Sequence, residues 1–113
     1  SWLAPDGKMF VHIFCHRDFA YEYETEGSTN WMGRYFFTGG QMPSRDLFSF
    51  FNEHLTIEQQ WDVSGVHYER TARDWLRNMD EHRPQIDEIL AQVYGASAVT
   101  IWRNRWRLFF LAC

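Results

Sequence analysis

The segment that most constrains this chain is Lys8-Met9-Phe10-Val11-His12-Ile13-Phe14-Cys15. It is a nearly continuous apolar run of strand length, entered through a turn signal at Ala4-Pro5-Asp6-Gly7. A strand apolar on both sides of the pleat must be covered on both faces. The residues before the turn, Ser1-Trp2-Leu3, read as the tail of a helix. Helix tail, tight turn and doubly buried strand are the local grammar of an α/β unit.

Other classes fall away on size and charge. A chain of 113 residues suits one domain at most, or a piece of a larger one. A net charge of −4 argues against general binding to nucleic acid or to an anionic membrane surface. No apolar run approaches the roughly 20 residues of a membrane span, and no signal-peptide pattern opens the chain. Cys15 and Cys113 make no CxxC and no dense framework, so a reduced, cytoplasmic setting is expected. The chain starts without Met and ends on Leu108-Phe109-Phe110-Leu111-Ala112-Cys113 with no helix-stop signal. We therefore expect an internal fragment, a single partial domain over residues 1–113.

Residues 16–42 read as irregular. They hold the acidic stretch Glu22, Glu24, Glu26, then Trp31, and then Arg34-Tyr35-Phe36-Phe37-Thr38-Gly39-Gly40. So long a segment, with this many aromatics, reads as a lid or insertion rather than a plain connector. Ser44 is placed to cap a helix starting at Arg45, with Leu47, Phe48, Phe50, Phe51 and Leu55 on one side. Ile57, Gln59, Trp61 and Val63 alternate with polar residues and predict a second strand. Three helical stripes follow: Tyr68, Ala72, Trp75, Leu76 and Met79; then Ile86, Ile89, Leu90 and Val93; then Trp102, Trp106, Phe109, Phe110 and Cys113. Arg83-Pro84 and Gly95 punctuate them.

The chemistry-bearing residues are few. His12 lies in the apolar run, either as a hydrogen-bonded core histidine or at a strand's carboxyl end, where open α/β sheets place ligands. His12 and His16 would stand about 13 Å apart on extended chain, which disfavours a shared metal, and we expect none. Gly39-Gly40 lacks the Lys-Ser/Thr of a phosphate loop and reads as a turn. The glutamate run and the alternating Arg103, Arg105 and Arg107 read as solvated faces. These residues do not by themselves define a reaction.

The order of three longer motifs adds to this reading. Trp2-Leu3-Ala4-Pro5-Asp6-Gly7-Lys8 resembles the turn leading into the fifth strand of S-adenosylmethionine-dependent methyltransferases. Phe10-Val11-His12-Ile13-Phe14-Cys15-His16, then the segment from Arg34 through Gly39-Gly40-Gln41-Met42-Pro43-Ser44, then Gly65-Val66-His67-Tyr68-Glu69-Arg70-Thr71, follow in the order found in one superfamily. It is the superfamily of cyclopropane-fatty-acyl-phospholipid synthases and coclaurine N-methyltransferase-like enzymes, and the Arg34–Ser44 segment is more similar to the second branch. The resemblance implies the C-terminal part of a Rossmann-like class I methyltransferase fold: fifth and sixth strands, a helical substrate-side insertion and flanking helices. It implies S-adenosyl-L-methionine as cofactor, bound mainly by a glycine motif upstream of Ser1 in the missing N-terminal part of the same domain. It implies catalytic positions at His12 and Tyr68, which in lipid-cyclopropanating members help hold a bicarbonate. Aromatic walls suit a sulfonium or a flat amine. Trp31, Tyr35, Phe36 and Phe37 are the candidates for such a wall, with plain packing of the insertion the competing reading. The expected substrate is a small-molecule amine. The alternatives are a lipid acyl chain or an inactive fragment; nucleic acid and stable membrane insertion are not expected.

Overall fold

The computed structural model describes residues 3–113, which form two compact units divided between Gln60 and Trp61. The helix tail expected at Ser1-Trp2 lies outside the described residues.

The first unit is organised by a small antiparallel hairpin. Strand β1 (Tyr21–Glu22) pairs with β2 (Gln41–Met42), with Tyr21 opposite Met42 and Glu22 opposite Gln41. Between them runs the short helix α1 (Trp31–Tyr35). So the segment read as irregular is a hairpin wrapped around one helical turn. Gly33 explains the closeness of that wrap: it is buried, and a Cβ there would stand 2.2 Å from the Glu24 carbonyl oxygen. Arg34 fixes the opposite side by donating from Nε to the Thr25 carbonyl at 2.9 Å and from Nη2 to the Gly27 carbonyl at 2.7 Å. After α1 the chain reverses through Gly39, whose φ of 73° lies where a side chain is strained, and Gly40 N–H donates to the Phe37 carbonyl at 2.9 Å. Gly39-Gly40 is the turn that the sequence predicts.

Both segments predicted as strands differ from expectation. Residues 8–15 and 57–63 form no strand, and β1–β2 is the only regular ladder among the described residues. A strand's hydrogen bonds come from another segment laid alongside, so apolar pattern without a neighbour gives no sheet. The one bridge near the first segment is parallel, from His16 to Ser44. Lys8 and Glu58, at the heads of the two segments, form an exposed ion pair of 2.6 Å. The helix expected from Arg45 is a single 3₁₀ turn, Leu47–Phe50. Ser44 does not cap it; its hydroxyl donates to Asp46 Oδ1 at 2.7 Å, which holds the side chain in a turn instead.

The second unit is helical, as the stripes predict: α2 (Gly65–Glu81), α3 (Arg83–Tyr94) and α4 (Val99–Ala112). Ser64 caps α2 by accepting from Val66 N–H, Pro84 sits in the first turn of α3, and Gly95 ends α3 at a φ of 87°. Ala72, Met79 and Leu90 form the buried centre, and α4 packs against both other helices. Arg103 and Arg107 do not lie on a solvated face. Arg103 makes a bidentate pair with Asp87 of α3, at 2.7 and 2.9 Å, and Arg107 pairs with Asp80 of α2. Arg105 lies 4.7 Å over the Trp102 ring, which itself stacks on Tyr94 at 3.8 Å.

Candidate functional site

In the first unit the hairpin and α1 enclose a cleft of about 450 Å³. It is lined by Tyr21 and Glu22 of β1, by Tyr23 and Glu24 directly after it, and by Trp31 and Met32 of α1. Tyr21 and Tyr23 meet edge to face at 6.1 Å. Tyr23 is half-buried; desolvation, then the neighbouring Tyr21, raises its phenol above the ordinary value. Asn30 orients one carboxylate, donating from Nδ2 to Glu24 Oε2 at 3.0 Å and to the Glu26 carbonyl at 2.6 Å. Two carboxylates beside three aromatic rings suit a flat ligand carrying positive charge: the rings offer π faces, and the carboxylates offer counter-charge.

The four aromatic wall candidates occupy different places. Trp31 lines the cleft. Phe36 packs edge-on against Trp31 at 5.9 Å, and Phe37 stacks on Tyr23 at 5.0 Å with an interplanar angle of 23°. Phe14 closes on Phe37 at 6.2 Å. These two phenylalanines hold the lining residues from behind. Tyr35 is the last residue of α1 and is half-buried. Glu22, Glu24 and Tyr23 are the lining residues that sequence reasoning missed. The signal was present: Tyr21-Glu22-Tyr23-Glu24 alternates as a strand does, and a solvated-edge reading overlooked the tyrosines between the acids.

His12 belongs to the first unit, exposed on the apolar segment, with its ring 6.3 Å from that of Phe10. Tyr68 belongs to the second unit, on the first turn of α2, edge-on to Trp75 at 6.2 Å. Burial first, and then a hydrogen bond to the Cys113 side chain, pushes the Tyr68 phenol up to about 12. At neutral pH it is a hydroxyl that can donate or accept a hydrogen bond, and it supplies no phenolate base.

Among the described residues, no group of three His, Cys, Asp or Glu side chains could hold a metal ion. Nor do they fit a nucleotide-type cofactor. Gly39-Gly40 closes a turn and leads into β2, so no helix N-terminus follows to receive a charged group. Gly65 opens α2, but there the capping acceptor is the Ser64 side chain.

Residues 1–113 match the family described as mycolic acid cyclopropane synthetase. The (S)-coclaurine N-methyltransferase of Thalictrum flavum subsp. glaucum is 33% identical over 99% of this chain, and that of Papaver somniferum is 32% identical over 96%. A solved structure of coclaurine N-methyltransferase, bound to N-methylheliamine and SAH, superposes with a TM-score of 0.70 and 30% identity. It covers 86% of this chain and 30% of that one. The chain spans 32% of the length of either N-methyltransferase relative. The architecture is thus part of a Rossmann-like class I α/β methyltransferase fold. Within that class, the chain belongs to the mycolic acid cyclopropane synthetase family.

Proposed function

We propose that this chain is the C-terminal part of one domain of an S-adenosylmethionine-dependent methyltransferase that acts on an amine of a small aromatic substrate. The observation that carries this reading is the likeness to coclaurine N-methyltransferase, in sequence and backbone, over nearly the whole chain. The Glu22–Glu24–Trp31 cleft supports it, because a protonated aromatic amine matches both its charge and its rings. The cofactor supplies the methyl group. Its cradle belongs to the rest of the parent protein, because the glycines of this chain do not form one.

This chain's residues bind and orient the acceptor. Trp31 forms the aromatic wall, with Tyr35, Phe36 and Phe37 setting its shape. His12 and Tyr68 are each assigned a catalytic position on the family resemblance, holding polar groups of the acceptor. With Tyr68 protonated, its part is a hydrogen bond rather than proton removal. An amine nucleophile must be neutral to react, so a carboxylate or a histidine has to take its proton. The family description favours a second reading, an acyl chain of a lipid as acceptor. The carboxylates of the cleft oppose it, since an uncharged acyl chain would strip them of water without return.

The test uses the full-length protein with methyl-labelled cofactor, offered coclaurine in one assay and unsaturated phospholipid vesicles in another. Label in the amine supports the reading; label in the acyl chain alone overturns it. Tyr68→Phe should then lower turnover by roughly 10- to 150-fold, the equivalent of about 1.5–3 kcal/mol, and lower it more than it lowers thermal stability. Wild-type turnover in that variant would remove Tyr68 from the site.

A further inference from the structure

His16 ties three pieces of the first unit together, and its side chain does so in one protonation state only. Its Nδ1 accepts from Asp18 N–H at 3.0 Å and from Phe19 N–H at 2.9 Å. Two donors aimed at one ring nitrogen assign the neutral tautomer with the proton on Nε2. The geometry copies the side-chain acceptor of an Asx turn, with an imidazole in place of a carboxamide. The same residue's backbone N–H donates to the Pro43 carbonyl at 2.9 Å, and its carbonyl accepts from Arg45 N–H at 2.9 Å. The ring lies 5.3 Å from Phe19 and 6.1 Å from Tyr21. Tyr21 starts β1, and Pro43 directly follows β2. Both strands beside the cleft are therefore anchored at His16.

We propose that His16 is a protonation-sensitive clasp on the cleft. A neutral ring holds the 16–19 turn that launches β1. A protonated ring carries N–H on both nitrogens, so Nδ1 then faces two donors as a third donor, and the turn releases. The charged groups around it are few. Asp18 sits in the same turn, its carboxylate 3.2 Å from Arg17 Nε. The Tyr21 phenol lies on β1. Across the bridge stand Arg45 and Asp46, the latter accepting the Ser44 hydroxyl at 2.7 Å. Among these groups only the His16 ring nitrogen accepts both N–H groups of the turn, so protonation of that ring is what sets donor against donor. The clasp is independent of the reaction assigned above, since it concerns only the shape of the cleft.

The test is amide hydrogen exchange on the full-length protein, with protection factors followed from about pH 8 to about pH 5. Protection of Asp18 and Phe19 should fall about ten-fold as the ring protonates, the scale of one net hydrogen bond. His16→Asn keeps an acceptor close to the Nδ1 position and removes the titration, so protection should persist and lose its pH dependence. His16→Ala should show low protection at every pH. Constant protection in the native protein overturns the clasp, as does a ring that ¹⁵N spectra show protonated on Nδ1 at neutral pH. A pH dependence that survives in His16→Asn overturns it too, because the titrating group would then be another.

Discussion

Single side chains in this protein are set by what their neighbours leave them. Tyr68 is an ordinary phenol on the sequence, and its environment alone makes it a weak acid. Partial burial, with 36% of the residue still exposed, disfavours the phenolate, and the hydrogen bond to Cys113 adds to this, so the phenol is pushed up to about 12. A folded-state value raised above the unfolded one favours the protonated form. The stability linked to Tyr68 is therefore fully present below about pH 10 and is lost as pH rises through about 12. Alkaline titration of the full-length protein, followed by phenolate absorbance, should show a late step near that pH that is missing in Tyr68→Phe. Gly33 illustrates the same dependence in backbone form. Nothing in its sequence neighbours demands glycine; the Glu24 carbonyl pressed against it does.

Elements hold together through a few specific cross-links. In the helical unit the apolar centre is small, so the paired charges weigh more. Arg103 is only 14% exposed and its partner Asp87 29%, and both guanidinium contacts are short. A pair so placed is worth more than a surface ion pair, and removing Arg103 leaves Asp87 partly buried with only the longer contact to Arg83 Nε at 3.8 Å. Arg103→Ala should cost about 1.5–3 kcal/mol. Arg103→Lys should recover only part, because an ammonium cannot make the two parallel bonds. Thermal melts of both variants check this. A double-mutant cycle with Asp87→Ala should give a coupling energy of at least about 1 kcal/mol. An additive cycle would make Arg103 a packing residue instead.

At the scale of the whole molecule, the apolar residues far exceed the interior that these residues build. Phe10 is 72% exposed, Phe50 71% and Phe51 70%, while the buried apolar side chains among the described residues are those of Pro43, Ala72, Met79 and Leu90. Apolar segments with strand propensity and open faces invite pairing with other chains. Residues 1–113 produced alone should therefore self-associate with rising concentration. Sedimentation velocity checks this, and a monomer with a sharp, concentration-independent melt would contradict it. No helix among the described residues is long and apolar enough to cross a membrane.

How much of this was legible in advance depends on where each hydrogen bond comes from. The sequence by itself determined α2, α3 and α4. Their bonds run four residues along the chain, so the stripe through Ala72 and Met79, the proline at 84 and the glycine at 95 suffice. It also determined the family, because three motifs in fixed order span most of the chain. The tertiary structure alone decided the rest. Residues 8–15 and 57–63 carry strand patterns, yet form no ladder here, since a ladder's partners come from elsewhere. The cleft was hidden for the same reason. Glu22 and Glu24 are separated from Trp31 by a loop, and only the β1–β2 pairing and the bare Gly33 bring them onto one wall. Helical order follows from local spacing; strands and sites depend on which distant segment lies alongside.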